Sequence, residues 1–305
     1  MSEVFHAGER ELQRRAGVAD EARAVGRIIG HAISPAVSRF LSHQRLAVAS
    51  SVDARGRVWA SLLAGAPGFL SVAAEGLRIA ARVRPADPLF DNLSQDAPLG
   101  LLVIDPRTRQ RMRFNGAGCR APGALVLRTQ QVYGNCPKYI QLRAAEADAP
   151  TASAEPEVSS RLNRRQRDWL ARADTLFVAS RHPEAGMDAS HRGGLPGFVD
   201  VASPTRLSFA DYPGNAMFNT LGNLLVNPKA GLLFVDFANG DVLQLTGNTR
   251  IETDFTVVFD VDEVREARQA SPLRYRLVEY SALNPRHTHA DRGIESSEPD
   301  EPEEE

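Results

Sequence analysis

Seven consecutive residues, Asp188-Ala189-Ser190-His191-Arg192-Gly193-Gly194, combine a carboxylate, a hydroxyl, an imidazole, a guanidinium and two glycines. In an extended strand alternate side chains share a face, so Asp188, Ser190 and Arg192 point one way and His191 the other. A hydroxyl and a guanidinium beside glycines suit a phosphate. The side chains give charge-assisted hydrogen bonds, and the glycines let backbone come close. An Arg–Asp pair on a surface strand is the plainer alternative. Further along, Asn215, Asn219, Thr220 and Asn223 lie around Gly214 and Gly222. These neutral donors and acceptors could line a heterocycle bearing carbonyls and ring nitrogens, although turns and helix caps use the same residue types. A third string, Gly134-Asn135-Cys136-Pro137-Lys138-Tyr139-Ile140-Gln141, sets Lys138 beside an aromatic ring and two amides. Of 36 basic residues only Lys138 and Lys229 are lysine, and a compact ammonium does what a guanidinium cannot. Lys229, in Asn227-Pro228-Lys229, reads as a turn residue ahead of a buried strand.

The elements that must position these residues occur twice. Phe40–Val72 aligns with Trp169–Val201 at a constant offset of 129 residues, with Gly65-Ala66-Pro67-Gly68-Phe69 opposite Gly194-Leu195-Pro196-Gly197-Phe198 and Ala60-Ser61 opposite Ala189-Ser190. Leu99–Asp105 then aligns with Ala230–Asp236 at an offset of 131, and Asn115-Gly116 falls opposite Thr246-Gly247. A period of this length indicates two homologous domains rather than a solenoid. Where the copies differ, chemistry can sit. Trp59 and Leu62-Leu63 of the first copy stand opposite Asp188 and His191-Arg192 of the second.

The pattern within each copy is mostly strand. Leu46–Ser51, Leu70–Val72, Leu99–Ile104, Arg111–Phe114 and Ala124–Val132 read as strands in the first copy. Thr175–Ser180, Phe198–Val201, Gly231–Phe237 and Val242–Leu245 do so in the second. Arg111–Phe114 and Val242–Leu245 alternate as strands with one wet face. Helical stretches open the copies near Ser34–Ser42 and Ser160–Arg172, and Glu9–Val25 reads as a surface helix. The expected fold is mainly β with peripheral helices (α+β): two tandem β-barrels, closed so that no edge is exposed, packed as an intramolecular pseudo-dimer with a ligand site at their interface. The expected boundaries are a helical extension over 1–36, a first barrel over 37–143, a flexible linker over 144–160, a second barrel over 161–285 and a disordered acidic tail over 286–305.

Composition narrows the function classes. The 305 residues are 43% hydrophobic and 24% charged, as in globular proteins. Net charge is −2, and Glu295–Glu305 holds seven acids and no base. The remainder is only mildly basic, which gives no footprint for nucleic acid. No apolar run nears the roughly 20 residues of a membrane helix, and the two cysteines form no CxxC pair. A cytoplasmic protein is expected.

Together these strings resemble the pyridoxamine 5′-phosphate oxidase-like FMN-binding split-barrel family, in a tandem branch. The residues that carry the likeness are Asp188–Gly194, Pro196-Gly197-Phe198, Gly214-Asn215, Asn219–Leu224 and Asn135–Gln141, and it extends from about Phe5 to Pro285. The resemblance implies split barrels with FMN at their interface, hence an FMN-dependent oxidoreductase. Its partners would be a small-molecule substrate or an electron donor such as NAD(P)H, with a homodimer as the further expectation. By the same resemblance Ser190, His191 and Arg192 match the family's polar cofactor-binding strand, with Gly193 beside them, and Arg192 and Ser190 are expected to hold the phosphate. Asn215, Asn219 and Thr220 are expected at the ribityl chain or ring edge; Asn219 and Thr220 fall where the family often carries a Ser/Arg/Lys cluster. Lys138 faces the flavin N1/C2 carbonyl, and Tyr139 and Gln141 flank the ring. A flavin or haem carrier without catalysis and a structural pseudo-dimer with a degenerate pocket remain open alternatives.

Other motifs fall away. Gly116–Ala121 fits GxGxxA but runs into Pro122-Gly123 and a further strand, a hairpin rather than a dinucleotide fold. No GxxxxGK[ST] or GxSxG occurs. Asp188, Ser190 and His191 lie too close along one strand for a triad. His287, His289 and Asp291 read as a chance cluster rather than a metal site, so no metal is expected.

Overall fold

The computed structural model describes residues 4–285 apart from residues 75, 82, 85, 94, 95, 153 and 154. The helices α1 (Ala7–Arg15), α2 (Ala19–Gly26) and α3 (Pro35–Ser42) lead into β1 (Leu46–Val52), β2 (Val58–Ala64), β3 (Leu70–Ala73) and β4 (Gly76–Ile79). Then come α4 (Pro88–Asn92), β5 (Ala97–Asp105), β6 (Gln110–Ala121), β7 (Ala124–Gly134), β8 (Leu142–Ala145) and β9 (Glu157–Ser159). The second half holds α5 (Arg164–Arg172), β10 (Thr175–His182), β11 (Gly186–Gly193), β12 (Val199–Ser203), β13 (Arg206–Ala210) and α6 (Asn219–Val226). It ends with β14 (Lys229–Val235), β15 (Val242–Ile251), β16 (Thr256–Ala267) and β17 (Tyr275–Glu279). Strand β16, the counterpart of β7, gave no clear signal in the sequence.

Two antiparallel sheets dominate, ordered β2-β1-β5-β6-β7-β4-β3 and β11-β10-β14-β15-β16-β13-β12. Strand for strand the order is the same, so the sequence repeat is a repeat of topology. Neither sheet closes on itself, contrary to the closed barrels expected. The edges are covered instead. On β5 a Cβ added to Gly100 would lie 2.8 Å from Asp188 Cα on edge strand β11. On β14 a Cβ on Gly231 would lie 2.8 Å from Trp59 Cα on edge strand β2. The opposite edges, β3 and β12, pack against α3 and α5. An edge buried under backbone of another sheet is as protected from stray pairing as one closed in a barrel.

Each half has its own core, around Leu101 and Phe114 in the first and Leu232 and Phe259 in the second. A third apolar layer joins them, with Val48, Val58 and Leu102 packed among Phe177, Ala179 and Leu233. The polar alternation of Arg111–Phe114 and Val242–Leu245 is real, but its polar face is not wet. Arg113, Asn115, Gln244 and Thr246 are all buried, because that face meets the other half.

Two further expectations are corrected. Glu9–Val25 is two helices, parted at Gly17, whose φ of 70° glycine adopts at no steric cost. Helix α1 lies at the surface, with Arg14 and Arg15 exposed, but one face is sunk deep: Gly8, Glu9, Leu12 and Gln13 are buried, and a Cβ on Gly8 would lie 2.3 Å from Gly222 O on α6. The linker over 144–160 is tied down in part. Strand β8 pairs with β17 and β9 with β16, while Glu146 and Ala149 donate backbone bonds to Arg274 and Pro272. The acidic tail, with His287, His289 and Asp291, lies outside the described residues. Among those residues no helix is long and apolar enough to cross a membrane.

Candidate functional site

Strand β11 is the edge of its sheet, and its polar face turns to the first half. Asp188, 2% exposed, accepts from Arg113 Nη1 on β6 at 2.9 and 3.0 Å. Thr220 Oγ1 on α6 donates to the same carboxylate at 3.2 Å and Asn115 Nδ2 at 3.4 Å. The Arg113 guanidinium also stands 5.9 Å from the centre of the Tyr133 ring, and burial raises that phenol's pKa.

Two residues along, Arg192 pairs through Nε with Asp211 at 2.6 Å and donates from Nη1 to Ser190 Oγ at 3.1 Å. Ser190 and Arg192 therefore share a face, as alternation requires. His191 turns to Arg111 of β6, which donates from Nη1 to His191 Nδ1 at 3.0 Å and from Nε to Cys136 O at 2.9 Å. A guanidinium only donates, so Nδ1 is the acceptor and the imidazole proton sits on Nε2. Burial, then the charges of Arg111, Arg192 and Arg143, hold His191 neutral, well below its usual pKa. Arg111 makes no ion pair with a carboxylate among the described residues. Burial and the nearby charges of Arg113 and Arg192 push its pKa down to about 9.

The string 134–141 crosses to this face. A Cβ on Gly193 would lie 2.0 Å from Tyr139 O, so only glycine permits the approach. Tyr139 Oη donates to Pro213 O at 2.8 Å, its ring is 5.3 Å from that of Tyr212, and Asn215 Nδ2 approaches Asn135 Oδ1 at 3.4 Å. Lys138 is half-buried and forms no ion pair among the described residues. Tyr139, Ala216 and Phe218 all have φ between 59° and 66°, so strained backbone flanks the cleft on both sides.

Direct contacts join Arg192 to Ser190 and to His191 O, and Gln141 to Tyr139 O, while Tyr139 O lies close over Gly193 and Thr220 bonds Asp188 on the same strand; not all ten expected residues are free to bind. Gln141 Nε2 has three backbone acceptors, Tyr139 O, Asp174 O and Gly194 O, within 3.2 Å for its two hydrogens, and its Oε1 accepts from Ser281 N and Asn284 Nδ2. It clamps backbone and has no capacity left for a ring. Asn219 Nδ2 donates to Glu9 Oε1 at 2.6 Å. Beside His191, Gln141 and Arg143 lies a cavity of about 10 Å³, room for one water.

Four residues of the cleft were missed: Arg111, Arg113, Asn115 and Tyr133, all from the first copy. The repeat held the signal. Arg111 and Arg113 stand opposite Val242 and Gln244, an asymmetry of the same kind as Trp59 against Asp188.

Helix α1 covers the far side. His6 accepts from Gly8 N at Nδ1 and donates from Nε2 to Asn223 Oδ1 at 2.9 Å. Burial and the neighbouring His182 lower its pKa to about 4. Burial raises Glu9 to about 7. Its folded pKa lies above the unfolded value, so its contribution is full below pH 4.5 and is lost as pH rises through 7. Glu9→Gln is expected to stabilise the protein by about 1–3 kcal/mol at pH 8 and by under about 1 kcal/mol at pH 5. Urea unfolding at the two pH values checks it, and an equal effect at both refutes it.

No protein-family model matches the chain, and a search of curated proteins finds no match. Similar solved structures include HupZ of Group A Streptococcus, 11% identical, covering 36% of this chain and 98% of that one at a TM-score of 0.29. A variant of HupZ gives 12% identity, coverage of 34% and 98%, and a TM-score of 0.28. An F420 reductase gives 12%, 33% and 94%, and 0.24. These TM-scores are too low to place the chain in a fold family.

Proposed function

We propose that the two halves are tandem split barrels paired as an intramolecular pseudo-dimer, and that the cleft between them binds FMN, making the protein an FMN-dependent oxidoreductase. One observation carries the reading: the cleft concentrates unmet polar capacity. Arg113 Nε, Asn115 Oδ1, Tyr133 Oη and Asn135 Nδ2 are buried without a hydrogen-bond partner of good geometry. Such atoms call for water or a ligand. Arg111 and Lys138 form no ion pair with a carboxylate among the described residues, which suits a phosphate.

The donor set fits FMN, whereas the enclosed cavity is far too small for its ring system. Binding therefore calls for the half-buried rim, where Tyr139 and Tyr212 meet and the backbone is strained, to make room. Arg192, Ser190 and Arg111 would hold the phosphate, while His191 offers Nε2–H as a fixed donor and Gly193 keeps the wall close. Asn215 and Thr220 would serve the ribityl chain, and Lys138 the electron-rich edge of the ring beside Tyr139. Bound flavin supplies hydride and electron transfer.

The test is titration of the purified protein with FMN, followed by flavin fluorescence. Arg111→Leu and Arg192→Leu are each expected to weaken binding by about 10- to 100-fold, the worth of one charge-assisted hydrogen bond. Reduction by NAD(P)H with turnover separates enzyme from carrier. The small cavity and the commitments of Gln141 and Asn219 favour a second reading, a structural pseudo-dimer with a degenerate pocket. A colourless protein indifferent to added FMN would establish it.

A further inference from the structure

We propose that each chain carries one such binding cleft rather than two, because the equivalent cleft on the other side of the pseudo-dimer is closed by the chain's own Trp59. The inference rests on the pseudo-dimer reading and takes the cleft at Asp188 as the ligand site. Two sheets of one strand order, each laying a glycine of β5 or β14 on the other's edge strand, generate two related clefts. One lies between β11 and β6, the other between β2 and β15.

The second cleft is built from the same positions with opposite chemistry. Trp59 stands for Asp188, Gln244 for Arg113, Val242 for Arg111, and Leu62-Leu63 for His191-Arg192. Trp59 is wholly buried. The guanidiniums of Arg57 and Arg265 each lie 5.2 Å from its ring centre, and its Nε1 donates to Asp53 Oδ2 at 3.1 Å. An aromatic ring, a fixed N–H and two cations already meet there, all from this chain.

Charge is balanced where the first cleft leaves it open. Arg57 pairs with Asp53 at 2.7 Å and with Glu263 at 2.5 Å, and Arg265 pairs with Glu263 at 2.7 Å. Gln244 Nε2 donates to Ala60 O at 2.9 Å and approaches Ser61 Oγ and Asp87 Oδ2, each at 3.2 Å. Ser61 Oγ in turn donates to Asp87 at 2.5 Å. None of these groups is among the buried polar atoms that lack a partner, whereas four such atoms, Arg113 Nε, Asn115 Oδ1, Tyr133 Oη and Asn135 Nδ2, belong to the cleft at Asp188. Among the described residues, the charged and donor groups named in the second cleft are thus already hydrogen-bonded or ion-paired within this chain. Divergence of the copies has divided the labour: β11 and α6 of the second half face β6 and β7 of the first, and the reverse pairing only holds the halves together.

Two measurements test this together. Trp59 and Trp169 are the only tryptophans, so Trp169→Phe leaves Trp59 as sole emitter. Its fluorescence is expected to resist acrylamide, and FMN titration to saturate at one per chain. Arg265→Leu is expected to leave FMN affinity and stoichiometry unchanged. Two FMN per chain, or Trp59 emission quenched as readily as free indole, overturns the proposal, as does loss of FMN binding in Arg265→Leu. If no FMN binds at all, the flavin reading of the first cleft falls, and the quenching alone then decides whether the second is closed.

Discussion

Asp188→Ala is expected to destabilise the protein by about 3–5 kcal/mol, the usual cost of removing one partner of a buried ion pair. The carboxylate is 2% exposed and Arg113 6% exposed, so the guanidinium left behind cannot recover its hydration without opening the interface. Thr220 and Asn115 lose an acceptor in the same step. The melting temperature should fall by on the order of 10 °C. Adding Arg113→Met should recover much of the loss, since removing both charges leaves neither unpaired. Binding should respond in the opposite direction. With Asp188 gone, Arg113 adds positive charge to the cleft, so the affinity for FMN per folded molecule should hold or rise. A loss below about 1 kcal/mol, or a double variant no better than the single, would mean that this pair is not the buried contact described.

The sequence made one side of this site legible and hid the other, for a physical reason. Alternation along a strand is local, so Ser190 and Arg192 could be assigned one face from seven residues, and Arg192 does donate to Ser190 Oγ. The repeat of topology was legible as well, because Pro-Gly turns and buried strands recur in short strings at constant spacing. Partners across the interface carry no such spacing. Asp188 meets Arg113, and His191 meets Arg111, only through the way two sheets are laid together, while Thr220 and Asp211 reach β11 from distant segments of its own half. The contact of helix α1 with α6 was hidden because it depends on Gly8 and Gly222, which have no side chain to register in an apolar pattern. The closed barrel was the wrong inference from a sound premise. Exposed edges must be managed, and this chain manages β2 and β11 by laying each on the opposite sheet.

Those edge contacts yield the second large effect. Gly231→Ala is expected to cost about 3 kcal/mol, at the upper end for overpacking, although it adds only one methyl group. The new Cβ would lie 2.8 Å from Ala60 N, Trp59 Cα and Val58 O. All three are backbone atoms of a strand that pairs with β1 through seven residues, so none can rotate aside. The strain is relieved only by moving the sheets apart, which loosens the apolar layer of Val48, Val58, Phe177 and Leu233. Gly100→Ala should act alike, with Asp188 Cα at 2.8 Å and N at 2.9 Å from the added carbon, besides Ser50 Oγ, which can turn away. Gly134→Ala is the control. Nothing lies within 4 Å of its Cβ, and its effect should stay within about 0.5 kcal/mol. Urea unfolding of the three variants distinguishes them, and a Gly231→Ala loss as small as that of Gly134→Ala would refute the close approach of β14 to β2. The double variant Gly100→Ala/Gly231→Ala should fall short of the sum of its parts. Both methyl groups push on one interface, and sheets already parted by the first leave room for the second.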